Sequence, residues 1–460
     1  MSDSEKTGRS LRESVSKELY AERMMQKLTQ AELAERVGTQ KSNISRMEKG
    51  AQNLTVDYVE ELAKALGRQV RFVMEEPSIN YGDTSTYSLK LCDTELLRFT
   101  LRRGLDLNAE ILYVNEDTRH LLPLDLELTG EGIKDWLRRR TIPQNRELAR
   151  RILGSLGLDI NDLKGIMDIC LGLSLNDSYW VPQAGFTGTF AEYNLYENRF
   201  SEALSLIAYT GGYYDTKKFR TSPELTTGGM LRKAWRYFEG GDIWLYKGGT
   251  EDFANAGNEP YSEYYASQIA EKMGLHAVHY DLQRWKGILA SKCRLFTDIN
   301  TAYIPIGRIV RTGGIQACLD YYRSLGEDFY QELVSMLVFD AVIINEDRHF
   351  GNFGILRDNK SGEIISPAPV FDNGLSLLCY AMKSDFSDLD EYIKTRSNPY
   401  GKDNSYFNLC SRIIGSKQKK ELSKLIGFRF TESDICNLPS WRINALEDMV
   451  QSRVRTLLSL

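Results

Sequence analysis

The chain has 460 residues, of which 42% are hydrophobic and 26% charged, a balance that excludes bulk disorder and collagen-like structure and leaves room for about two to four domains. Fifty-eight Lys and Arg against 63 Asp and Glu give a net charge of −5, so any nucleic-acid contact has to come from a local patch rather than a surface basic throughout. Seven cysteines, an odd number with no pair at metal-ligand spacing, are expected as buried reduced thiols, and four histidines argue against a His-rich metal centre. Residues 1–18 are polar and charged, so no signal peptide is expected. The longest apolar run, 336–344, is interrupted by Asp340 and is too short to span a bilayer. The chain therefore reads as soluble and cytoplasmic, with no membrane partner.

Residues 1–10 read as a tail, and from Leu11 to about Val73 the apolar spacing is helical. Thr29 with Glu32 three residues on forms a capping-box pattern, Leu33, Ala34 and Val37 give the helix one apolar face, and Gly38 permits a sharp turn. A second short helix, 39–48, opens at Thr39. It would bury Ile44 and Met47 and present Gln40, Lys41, Asn43 and Arg46 on its opposite face. Amide side chains pair with adenine and cationic ones with guanine in the major groove, while Gln30 could reach a phosphate. A further helix, 56–66, would close the bundle. Residues 1–76 contain equal numbers of basic and acidic side chains, so readout would rest on specific side chains. The Leu-Thr-Gln…Leu-Ala…Gly…Ser-x-Ile-Ser-x-x-Glu-x-Gly pattern resembles the Xre-type helix-turn-helix family. That resemblance implies an operator in double-stranded DNA, contacted through Gln30, Thr39, Gln40, Lys41, Asn43 and Arg46. The competing reading is a bundle used only for docking.

Glu75, Glu76 and Pro77 read as a linker. The region 77–210 is expected to be mostly helical, with helices at 133–156 and 162–171, a new helix starting at Pro143, and the string 171–180 packing on the small lobe. From 211 to 310 the signal is strand and turn with a helix near 261–273. From 311 to 460 helix returns, with a strand-rich insert at 345–377.

The polar string Asn345-Glu346-Asp347-Arg348-His349-Phe350-Gly351-Asn352 follows the apolar run, and Phe371-Asp372-Asn373-Gly374 comes later. That order suits phosphotransfer: Asp347 as the base for an attacking hydroxyl, Asn352 and Asp372 as oxygen ligands of Mg²⁺. Upstream, 242–247 reads as a strand whose alternation puts Lys247 on the face of Ile243 and Leu245. Its partner is expected to be Glu263, with Glu259 the fallback. Before that strand, Thr226, Thr227, Gly228 and Gly229 let the backbone approach phosphate oxygens, flanked by Arg232 and Lys233. His349 is expected to fix its loop through its ring nitrogens.

The Lys, Glu, Asp, Asn, Asp order with Asp-Arg-His-x-x-Asn resembles the HipA-like serine/threonine kinases over about 211–460. The resemblance implies ATP and Mg²⁺, with Asp347, Asn352 and Lys247 catalytic, Asn352 and Asp372 on the metal, and Thr226, Thr227, Gly228, Gly229, Lys247 and Glu263 at the nucleotide. From strand order, Arg294 to Thr297 would be the adenine hinge, and Thr226, Thr227 or Ser222 would stand where the family carries a self-phosphorylated serine. The expected fold class is α+β: an all-α helix-turn-helix bundle at 1–76, a middle region at 77–210, and a bilobal kinase-like domain with a strand-rich N-lobe (211–310) and a helical C-lobe (311–460). The expected function is an ATP-dependent protein kinase acting on a Ser/Thr acceptor, regulated by DNA binding in cis as in toxin–antitoxin systems, with a homodimer as a candidate assembly. The alternative is a non-enzymatic transcription factor whose kinase-like half senses nucleotide. A small-molecule phosphotransferase of the aminoglycoside type fits less well with the DNA-binding module.

Overall fold

The computed structural model describes residues 15–50, 52–70, 84–102, 107–214, 216, 221–250, 257–396, 400 and 405–460. The tail at 1–10 and the linker at 75–77 lie outside them. The chain divides into two compact units, Met1–Ile79 and Asn80–Leu460.

In the first unit a helix over 15–25 (α1) is followed by α2 (Gln30–Val37), α3 (Lys41–Glu48) and α4 (Val56–Ala65). The capping box is present: Glu32 N–H donates to Thr29 Oγ1 at 3.2 Å and Thr29 N–H to Glu32 Oε2 at 2.7 Å. Gly38 sits at φ 71°, and its αL turn lets Thr39 N–H reach the Ala34 carbonyl at 2.8 Å, a conformation that disfavours any Cβ. Leu19, Leu33, Ile44, Met47, Leu62 and Leu66 close the core.

The second unit opens on an antiparallel meander, β1 (Thr84–Leu91), β2 (Thr94–Arg102) and β3 (Asn108–Val114), extended by β4 (Tyr179–Trp180) in the order β3-β2-β1-β4. The region expected to be mostly helical therefore begins as a sheet. Leu89, Leu97, Phe99 and Leu101 are the strand-period apolar residues that carry it. Helices α5 (Gly130–Arg138), α6 (Ala149–Gly154), α7 (Leu163–Cys170), α8 (Phe190–Tyr193) and α9 (Glu202–Thr210) follow. No helix begins at Pro143, because the turn after it runs to Leu148, which sits at φ 64° immediately before α6.

The second sheet has the order β5-β6-β8-β7, with β5 (Lys233–Tyr237), β6 (Ile243–Gly248), β7 (Asp281–Trp285) and β8 (Ile288–Arg294), and α10 (Glu259–Met273) lies between β6 and β7 in the chain. One face of this sheet, with Ala234, Tyr246, Trp285 and Ala290, shares a core with Leu206 and Tyr209 of α9 and with the first sheet. The third sheet is β11-β10-β9, from β9 (Thr301–Pro305), β10 (Gly354–Asp358) and β11 (Ile364–Pro367).

Around it stand α11 (Ile306–Ile309), α12 (Gly314–Leu325), α13 (Glu327–Ile343), α14 (Leu389–Lys394), α15 (Tyr406–Ile413), α16 (Ser416–Ser423) and α17 (Ser440–Ser459). Every residue of α13 from Leu333 to Ile343 is buried, as expected of a helix apolar all round. The architecture is α+β throughout this unit. Among the described residues no helix is long and apolar enough to cross a membrane, and the seven cysteines are free thiols, five of them buried.

Candidate active site and helix-turn-helix face

Strand β6 delivers Lys247 from its apolar face into the interior, where the residue is 6% exposed. The ammonium donates to two carboxylates, Glu263 Oε1 on α10 and Asp372 Oδ1 after β11. Glu263, not Glu259, is thus the partner. Glu259 instead accepts from Thr250 N–H and Oγ1 at 3.3 and 2.7 Å and from the Tyr380 hydroxyl at 2.8 Å. The second oxygen of Glu263 takes the Asn373 N–H at 2.8 Å, and the Tyr280 hydroxyl takes the Asp372 N–H at 3.2 Å.

Burial alone would neutralise these groups. The attraction of Asp372 and Glu263 overrides it and holds Lys247 protonated well above the usual lysine range, while Lys247 and then Lys233 hold Asp372 well below the usual carboxylate range. Asp372 sits at φ 58°, a left-handed conformation that Asp tolerates better than most residues.

Lys233 is paired directly across the strands with Lys247, so both lie on one sheet face. Two like charges in that position repel. Burial, with Lys247 and Arg146 adding to it against the pull of Asp372, lowers the Lys233 pKa to about 8.

The loop after α13 is built on a buried guanidinium. Ile344, β-branched and fully buried, ends the helix at φ 55°, a strained turn for such a side chain, and the chain then enters Asn345. Arg348 is fully buried and grips both oxygens of Asp340 on α13 at 3.1–3.2 Å. It also donates to the carbonyls of Asn352 (3.1 Å) and Phe371 and to Asn373 Oδ1 (2.5 Å). One side chain therefore sets the spacing between the Asp347–Asn352 loop and Asp372. Tyr400 completes the network on Asp340.

Asp347 is half-buried. Its pKa is raised by burial and by Asp372, with His349, Lys247 and Arg348 opposing. Its backbone is pinned: its N–H donates to Asn345 Oδ1 at 3.0 Å, and its carbonyl accepts from Asn352 Nδ2 at 3.1 Å. His349 fixes the loop as expected, its Nδ1 accepting the Gly351 N–H at 2.9 Å. Asn352 Nδ2 donates to the Asp347 carbonyl, which leaves its Oδ1 as an acceptor, and Asp372 engages Lys247 through Oδ1, which leaves its Oδ2. Both are hard oxygen donors. Among the described residues no three His, Cys, Asp or Glu side chains gather as a metal cage. A Mg²⁺ ion held by one or two oxygen side chains with phosphates and waters needs no such cage, so this donor set fits it.

The glycine-bearing loop departs in part from expectation. Thr226 is buried, and its hydroxyl donates to the Pro223 carbonyl at 3.3 Å. Thr227 donates to the same carbonyl at 2.6 Å and accepts the Trp235 indole N–H at 3.0 Å. Ser222, 2% exposed, caps the Glu224 N–H. These hydroxyls are engaged with the protein rather than presented to solvent. Gly229 sits at φ 83°, a left-handed conformation that strains any side chain, with the Lys233 ammonium close by, whereas a Cβ at Gly228 meets nothing within 4 Å.

The proposed hinge leaves β8 at Arg294. Leu295 N–H donates to the Ile243 carbonyl at 2.9 Å, and the Thr297 hydroxyl donates to the Leu175 carbonyl. The string 171–180 thus docks on this segment, with Asn176 O accepting the Tyr303 N–H at 2.7 Å. Phe296, Tyr303 and Phe371 pack ring against ring at 5.3–5.5 Å, next to a small core of Val278, Tyr280 and Cys293.

In the first unit Gln40 and Lys41 open α3 and are exposed, as is Arg46. Thr39, Asn43 and Arg46 form a chain of bonds: Asn43 Nδ2 donates to Thr39 Oγ1 at 2.8 Å and Arg46 to Asn43 Oδ1 at 2.6 Å. Gln30 donates to Glu48 Oε2 at 2.7 Å, and Glu48 is held by Arg23 at 2.5 Å, so Gln30 is braced rather than free.

Sequence reasoning assigned no role to Arg348, Asp340, Asn373, Arg146 or Glu147. Arg348 and Asn373 stood inside the quoted motifs and Asp340 was a lone charge inside an apolar run, whereas Arg146 and Glu147 left no signal.

Residues 19–73 match the helix-turn-helix family model. No curated protein matches the chain. Among solved structures, the chain is similar to the proinflammatory kinase CtkA of Helicobacter pylori, at 20% identity and a TM-score of 0.36 over 49% of this chain and 93% of that one. It is also similar to the Shewanella oneidensis MR-1 toxin–antitoxin complex of HipA, HipB and operator DNA, at 12% identity and a TM-score of 0.46 over 81% of this chain and 99% of that one.

Proposed function

We propose that the second unit is an ATP- and Mg²⁺-dependent protein kinase acting on serine or threonine, and that the first unit binds operator DNA and regulates it in cis. The observation that carries the kinase reading is Lys247 held by both Glu263 and Asp372, with Arg348 tying Asp372 to the loop of Asp347 and Asn352. Lys247 as a cation for phosphates, Asp347 as a base, and Asn352 and Asp372 as oxygen donors are the types of group that phosphoryl transfer requires, which supports this reading.

Asn352 and Asp372 would hold Mg²⁺, which supplies charge neutralisation at the transferring phosphoryl group. Lys247 binds and orients the nucleotide phosphates. Asp347 accepts the proton of the attacking hydroxyl at a carboxylate oxygen. Arg348, buried and saturated with partners, keeps these groups in register. Gln40, Lys41 and Arg46, exposed at α3, supply the base-edge contacts.

The test is incubation of the full chain with radiolabelled ATP and Mg²⁺, alone and with a cell lysate. Label on a serine or threonine supports the kinase reading. Binding of Mg·ATP with no transfer to any protein would favour a nucleotide sensor coupled to transcription.

A further inference from the structure

We propose that Arg146 and Glu147, two neighbours just before α6, are positioning residues that hold the glycine loop 226–233 in the conformation that receives nucleotide phosphates; this rests on the nucleotide reading of the site. The two side chains grip the loop at both ends. Arg146, with no side-chain exposure, donates to the carbonyls of Glu224 at 2.8 Å, Thr227 at 3.2 Å and Lys233 at 3.1 Å and pairs with the equally buried Glu224 carboxylate at 2.5 Å. Glu147 donates its N–H to the Met230 carbonyl at 2.8 Å. Its carboxylate takes the Arg232 N–H at 3.2 Å and the guanidinium at 2.9 Å.

The consequence is directional. The carbonyls of Thr227, Met230 and Lys233 are turned toward this clamp. Among the described residues the amide N–H groups of 227–231 donate to no backbone carbonyl. Successive backbone N–H groups in a turn can take anions, and here the loop includes Gly229, against which Lys233 lays its ammonium. A planar fork that bonds several carbonyls at once is a task for Arg and not for Lys. The middle of the loop, 228–230, is exposed and has little else to hold it.

The test uses the full chain with Glu147→Gln and Arg232→Gln, where the pair is partly exposed, and Arg146→Lys as the deeper change. Mg·ATP affinity is measured by calorimetry, the kcat and KM of phosphotransfer by steady-state kinetics, and trypsin cleavage after Arg232 in the first of the two Gln variants and the parent. If the clamp keeps the loop competent, opening it lowers the competent fraction, and Kd and KM for ATP rise about tenfold with kcat little changed. The Glu147→Gln, Arg232→Gln double variant should be no worse than either single one, melting temperature should hold, and cleavage after Arg232 should accelerate in Glu147→Gln and be suppressed by Mg·ATP. A folded Glu147→Gln variant with unchanged ATP affinity and unchanged cleavage overturns the proposal, as does a fall in melting temperature with no change in KM. A parent chain that takes no Mg·ATP while Glu147→Gln is cleaved faster retains the clamp and strikes the nucleotide reading instead.

Discussion

Asp372 is held by Lys247 and Asp347 is not, and the chemistry proposed for these two carboxylates separates in variants. Asp347 does not touch Lys247, so Asp347→Asn is expected to cut phosphotransfer by about 10²–10⁴, the usual loss on removing a general base, with Mg·ATP binding retained. Asp372→Asn keeps the left-handed backbone but removes a charge from the metal-type donor set, and is expected to weaken Mg·ATP binding itself. Calorimetry beside a phosphotransfer assay reads the difference, and full transfer by Asp347→Asn would refute the role. The pH dependence has a definite sign. Burial and Asp372 raise the Asp347 pKa, and the base acts only when deprotonated. The rate should therefore climb with pH along a limb displaced above the ordinary aspartate value of about 3.9, and that limb should vanish in Asp347→Asn. A profile flat across the carboxylate range would count against Asp347 as base.

At the scale of elements, α13 and the loop it feeds are joined by charge inside an apolar core. Arg348 and Asp340 are both fully buried. Removing one partner of such a pair leaves the other uncompensated and costs about 3–5 kcal/mol. Asp340→Ala is expected to lose that much in denaturant unfolding of the second unit, and a loss under 1 kcal/mol would show that the network is not needed for stability. In the first unit the capping box starts α2. Thr29→Ala should remove about 1 kcal/mol of helix stability and lower the melting temperature of that unit, whereas an exposed change such as Glu35→Ala should not.

At the scale of the whole molecule, the chain forms two compact units, so the two proposed activities can be tested apart. Gln40→Ala is expected to remove about 1–3 kcal/mol of base discrimination, read as the ratio of specific to non-specific DNA affinity at fixed salt, with phosphotransfer unchanged. Asp347→Asn should leave DNA binding intact. A wild-type chain with no sequence preference on its own promoter at moderate salt would remove the operator from the proposal.

Much of this was legible before any fold was known. Thr29, Glu32, Gly38, Ile44 and Met47 specify their helices and turn through local rules, namely caps, left-handed glycine and helical period, so residues close in sequence suffice. Lys247 and Glu263 were also readable, because strand alternation and a following helix are local patterns and a buried lysine demands an acid.

What lay beyond reach depends on contacts between distant segments. The choice of Glu263 over Glu259 was confirmed only by how α10 packs on β6, since both acids lie near the start of one helix. The sheet at 84–114 was hidden among mixed signals because strand pairing is long-range. Arg348 became the hub of the site only when α13, its own loop and 371–373 closed around it. Arg146 and Glu147 left no trace in sequence, standing some 80 residues from the loop they hold. Residue types and periods determined the fold class, the helix-turn-helix and the list of candidate site residues. Burial and non-local hydrogen bonding decided which of those groups meet, because an ion pair in a dry interior forms only where packing excludes water.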